Sequence, residues 1–128
     1  MDLEHTHVLA AGAVVTLLTA ADVAASANGA AHAITPPARG TAAVVLNVGA
    51  ATAGTLPTFD FKLQTSDDGS TGWVDVPGTN AAQVTTVASA QLLAFRPGEQ
   101  KKYVRSVVTI GGSSSPSFPA SASLVYLP

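Results

Sequence analysis

Two stretches of this chain alternate in a way that leaves little choice of local structure. From Thr58 to Thr65, Phe59, Phe61 and Leu63 interleave with Asp60, Lys62 and Gln64; from Ala42 to Gly49, Val44, Leu46 and Val48 recur at every second position. A period of two sends successive side chains to opposite faces of an extended backbone, so each stretch predicts a strand with one buried face. Further β runs are expected at Trp73 to Val76, Gln83 to Val87, Gln91 to Arg96, Lys102 to Ile110 and Ala120 to Leu127. Clusters of Gly, Pro, Ser and Asp separate them and favour turns.

Short strands at this spacing predict an all-β fold, an antiparallel β-sandwich of jelly-roll or immunoglobulin-like type. At 128 residues the expectation is one such domain, spanning residues 1–128, with 1–7 as an extended N-terminal arm. Its core is expected to hold Val44, Leu46, Val48, Phe59, Phe61 and Leu63, together with one face of Tyr103 to Ile110. The alanine-rich third before Pro36 and Pro37 admits two readings. Thr19 and Asp22 have the spacing of a capping box, and Asn28-Gly29 would end a short helix after them. Alternatively Asn28-Gly29 turns a hairpin between Val14 to Val23 and Ala30 to Ile34. Val14, Val15 and the threonines tilt the balance toward strand.

Composition then narrows the function. Charged residues make up 11% of the chain and hydrophobic ones 47%, against about 25% charged in an ordinary domain. The surface is therefore unusually neutral, as expected of a chain partly covered by neighbours. The six cations, Arg39, Lys62, Arg96, Lys101, Lys102 and Arg105, are too few and scattered for a phosphate-tracking stripe, so no nucleic-acid partner is expected. Val8 to Ala21 is apolar, but Asp2 and Glu4 stand where a signal peptide needs positive charge. It is also shorter than the roughly 20 residues that span a bilayer. Synthesis in the cytoplasm without a signal peptide, and no membrane partner, are the expectations.

The residues that carry chemistry are sparse. There is no cysteine, which removes disulfides and thiolate sites together. His5 and His7 would share one face of a strand, but the third histidine is distant at His32 and no acid sits at a matching spacing. A polar arm is the better reading than a metal site. Asp67-Asp68-Gly69 lacks the alternating oxygen ligands of a calcium loop; it reads as a turn in which Gly69 takes a positive φ and an aspartate accepts backbone hydrogen bonds. Ser113 to Ser115 form a Gly-Ser loop without a nucleophile elbow, and Gly111-Gly112 lack the lysine of a phosphate loop. Trp73 is expected to cap the core rather than serve as a sugar platform. No catalytic, cofactor-binding or metal-ligating residue is predicted, and the chain is expected not to be an enzyme.

One resemblance adds to this. The run Thr55-Leu-Pro-Thr-Phe-Asp-Phe-Lys-Leu-Gln-Thr-Ser-Asp-Asp-Gly-Ser-Thr-Gly-Trp-Val-Asp-Val76, followed by Lys102-Tyr-Val-Arg-Ser-Val-Val-Thr-Ile110 and the Gly-Ser text to Ser117-Phe118, resembles small tailed-phage virion proteins similar to capsid decoration, or cement, proteins. The likeness extends over about Ala42 to Leu127. It implies a virion location on the capsid surface, the major capsid protein as partner, and self-association as a homotrimer. The interface itself is expected from the residues: Asp2, Glu4, His5 and His7 form a polar arm directly before an apolar run, and the loops around Arg39 and Arg96 are the other candidate contacts. The pattern Leu63-Gln-x-Ser-x-Asp-Gly-x-x-x-Trp73 also resembles hairpins of discoidin-like carbohydrate-binding sandwiches, so a glycan-binding or host-adhesion module of a head fibre or tail is the alternative.

Overall fold

The computed structural model describes residues 14–33, 41–97 and 100–127. Its strands are β1 (Val14–Val23), β2 (Ala27–Asn28), β3 (His32–Ala33), β4 (Thr41–Val48), β5 (Ala53–Ser66), β6 (Val74–Asp75), β7 (Ser89–Phe95) and β8 (Tyr103–Leu127). All pairings are antiparallel, and the fold is all-β.

The organising element is β8. Its C-terminal half pairs with β1 on one side and β4 on the other; its N-terminal half pairs with β2 and β3 on one side and β5 on the other. Backbone bonds from Gly49 N–H to the Pro119 carbonyl (2.7 Å) and from Thr52 N–H to the Ser117 carbonyl (2.8 Å) carry the β4 side into the β5 side. A three-stranded ribbon therefore follows β8 from end to end and folds over at its middle. Adding β7 and β6 at the margins gives sheet A, ordered β1-β8-β4-β7, and sheet B, ordered β2/β3-β8-β5-β6.

The residues at the fold-over explain why the ribbon bends there. Register shifts interrupt the β5–β8 ladder between Ala53 and Thr55 and again between Thr55 and Thr58. Leu56, Ser114 and Ser115 hold positive φ values of 49°, 61° and 54°, which L residues seldom adopt. Gly112, at φ 106°, faces the opposing strand so closely that a Cβ would lie 2.8 Å from the Leu56 carbonyl oxygen. Only a residue without a side chain lets the backbones approach this far. The Gly-Ser text that reads as a loop is thus the corner of one continuous strand.

Folding over brings the apolar faces together. Ala42, Val44, Leu46, Val48, Phe118, Ala122 and Leu124 of sheet A meet Phe59, Phe61, Leu63, Val104 and Val108 of sheet B. Phe59 and Phe118 touch edge to face, ring centroids 5.6 Å apart, an arrangement aromatic pairs favour. Every residue predicted for the core by alternation is buried there, with Val104, Ser106 and Val108 supplying the inward face of β8.

Three expectations are corrected. Asn28-Gly29 does not turn a hairpin: Asn28 is opposite Val107 and the Gly29 N–H bonds the Ser106 carbonyl at 2.8 Å, so β1 and β2/β3 run along β8 in succession rather than against each other. The Gln83 to Val87 run is reduced to one bridge between Val84 and Phe59. Trp73 lies outside the core and is half-buried on the outer side of sheet B.

Candidate interaction surfaces

Because the inner faces of both sheets are consumed by the core, any ligand or partner of the strands must meet an outer face, an edge or the corner. The two outer faces differ sharply in chemistry.

On sheet B, β5 directs Asp60, Lys62 and Gln64 outward, and register places Gln64 between Asp75 of β6 and Arg105 of β8. The side chains join accordingly. Lys62 Nζ lies 3.0 Å from Asp75 Oδ1, and the Gln64 amide donates to the same oxygen at 3.1 Å. The Arg105 guanidinium donates to Gln64 Oε1 at 2.8 and 3.1 Å and lies over the Trp73 ring, 4.3 Å from its centroid. The Gln64 amide, and then Lys62, hold the Asp75 carboxyl below its ordinary pKa. Trp73 Nε1 donates to the Ser70 carbonyl at 3.3 Å, so one ring face and the polar handle are occupied from within.

The turn that leads to Trp73 is built as predicted. Gly69 takes a φ of 75°, and Asp68 Oδ1 accepts from the N–H groups of Thr71 and Ser70, each at 2.8 Å. Those two bonds, with the Thr71 and Ser66 hydroxyls, hold the Asp68 carboxyl well below the usual carboxylate range. The buried Ser66 hydroxyl accepts from Asp68 and Gly69 N–H, and its single proton is shared between the Asp68 carboxylate and the Thr71 carbonyl. Both Asp68 oxygens are engaged by the turn itself. Asp67 instead faces Lys101, 3.8 Å away.

Sheet A presents the opposite surface. Its outward positions include Val14 and Thr16 on β1, Ser121 and Ser123 on β8, Val45 and Asn47 on β4, and Ala90, Leu92 and Ala94 on β7, none of them charged. Val14 is 61% exposed, Val45 38% and Leu92 67%, and Val45 lies directly opposite Leu92. Toward one end an open trough of about 820 Å³ crosses all four strands; Asp22 is the one charged residue among those lining it, and small residues such as Ala20, Gly49, Ala90 and Ser121 form its floor. The sequence did carry a signal for this face. Ala42-Ala43-Val44-Val45-Leu46 is apolar in both phases of the alternation, so the outward phase as well as the inward one lacks polar side chains there.

Of the six residues expected at an interface, Asp2, Glu4, His5, His7 and Arg39 lie outside the described residues. Arg96 is exposed immediately past β7, and its carbonyl accepts from Gln100 Nε2 at 3.5 Å. His32 is half-buried in β3 opposite Val104, and Ser113 to Ser115 form the corner. Among the described residues, no three His, Cys, Asp or Glu side chains converge on one point. The Arg105-Trp73 contact and the neutral face of sheet A went unpredicted. Compared with known proteins, the chain matches no family model and no curated sequence.

Proposed function

We propose that this chain is a non-enzymatic virion structural protein that binds the outside of a phage head through the major capsid protein and stabilises or decorates it. The observation that carries the reading is the outer face of sheet A, where Val14, Val45 and Leu92 are open to solvent and Asp22, at one end, is the single charge lining the trough. Exposed apolar side chains such as the adjacent Val45 and Leu92, set among small neutral residues, suit a contact site, since covering them releases water and strands little charge. Weak contacts of this sort become effective when repeated over a symmetric shell. The low charge of the chain and the resemblance of Thr55 to Val76 support the same reading.

The test is co-sedimentation with decoration-free heads of the tailed phage that encodes the chain. Saturable binding at a fixed number of copies per head, lost in a Val45→Asp variant that still folds, is the expected result. Absence of binding together with selective signals on a glycan array would replace this reading with the carbohydrate-binding one. A sugar stacking on Trp73 would then have to use the ring face that Arg105 leaves, or displace Arg105.

A further inference from the structure

The edges of the two sheets are not equally protected against strand addition. Two register shifts break the β1 edge, which also carries Asp22. The β2 and β3 edges are two residues each, and β6 is two residues long with Asp75 tied to Lys62. These are the devices that blunt an edge: brevity, irregularity and charge. β7 has none of them. Ser89-Ala-Gln-Leu-Leu-Ala-Phe95 pairs with β4 in unbroken register over all seven residues, contains no charge and no proline, and has β4 as its only strand partner among the described residues.

The strand is also held firmly. From the sheet B side, the Gln91 amide exchanges bonds with the Ala82 backbone, accepting from its N–H at 2.9 Å and donating to its carbonyl at 3.0 Å. Leu93 and Phe95 anchor the inward face in the core.

We infer that the β7 edge pairs with the β7 edge of a second copy of this chain, antiparallel and two-fold about Leu92. The strand is complementary to itself in that register: Leu92 meets Leu92, Ala90 meets Ala94, and Gln91 meets Leu93. On the outer face this puts two leucines across the axis with small residues on either side, and no like charges oppose each other anywhere along the strand. The outcome is an eight-stranded sheet made from two copies of sheet A, its neutral outer face continuous across the junction. The pairing is a dimer contact, where the resemblance implies a trimer, and it stands on edge chemistry independently of any shell.

The chain has no cysteine, so single cysteines report the pairing without background. Cα atoms of directly opposed antiparallel residues lie about 4.5 to 5.5 Å apart, within disulfide reach. Under mild oxidation the Leu92→Cys variant should convert to a disulfide-linked dimer at least tenfold faster than Val14→Cys, which is similarly exposed on the same sheet face. An equimolar mixture of Ala90→Cys and Ala94→Cys should cross-link faster than either alone. Sedimentation of the wild type should show a concentration-dependent dimer that Leu92→Lys shifts to monomer, with an unchanged circular dichroism spectrum. Cross-linking of Leu92→Cys no faster than Val14→Cys, or a Leu92→Lys protein that dimerises as the wild type does, overturns the inference.

Discussion

Sheets A and B are two halves of one ribbon, built on the same strand β8, yet their outer faces do different things. Sheet B's face is occupied with itself: Lys62, Asp75, Gln64, Arg105 and Trp73 satisfy one another in sequence across three strands. Sheet A's face leaves Val45 and Leu92 against solvent. Both sheets supply the shared core, but one outer face carries a polar network and the other leaves apolar side chains open to solvent. Substitutions on the two faces should therefore act on different observables.

The largest effect belongs to neither face. Phe61 is 2% exposed between the sheets, and Phe61→Ala should remove about 3 to 5 kcal/mol of stability by transfer loss and cavity formation. Denaturant unfolding checks this, and a loss under 1 kcal/mol would show that the sheets are not jointly packed there. Next comes Arg105→Ala, which frees one face of Trp73 and leaves Gln64 Oε1 without its donor. The contact is partly open to solvent, so the cost should be about 0.5 to 1 kcal/mol, with a shift in Trp73 fluorescence, since it is the only tryptophan.

On the opposite face, Val45→Thr keeps the branched shape and should change stability by no more than about 0.5 kcal/mol, while measurably weakening association by light scattering. Equal destabilisation by Arg105→Ala and Val45→Thr would erase the distinction between the faces. The smallest effect concerns pH. Asp68 is held ionised in the folded chain by the Thr71 and Ser70 N–H groups, so its contribution is complete above the unfolded carboxylate pKa of about 3.9 and declines as pH falls below it. The melting temperature should be flat from pH 7 to about 5 on this account and then fall, with a shallower acid slope in Asp68→Ala.

Much of this was legible locally. Alternation at Val44 to Val48 and at Phe59 to Leu63 named the core, because burial of one face imposes a period of two wherever a strand lies on a core. The Asp68-Gly69 turn was legible for a similar reason: its hydrogen bonds close within a few residues. Trp73 was misassigned because β6 is two residues long, and alternation over two residues cannot say which side faces the core. Its stacking partner, Arg105, comes from a distant strand brought alongside by register.

The sequence by itself determined that this is a β protein with one buried set of side chains, since hydrophobic period and turn chemistry act between near neighbours. Only the tertiary structure decided that Lys102 to Ile110 and Ala120 to Leu127 are one strand, because the residues between them, Gly111, Ser113 and Ser117, are held in the ladder by β5, which is distant along the chain. It likewise decided which edges were blunted and which outer face stayed neutral. Those properties belong to pairs of strands distant along the chain, and pairing is settled when the ribbon folds over.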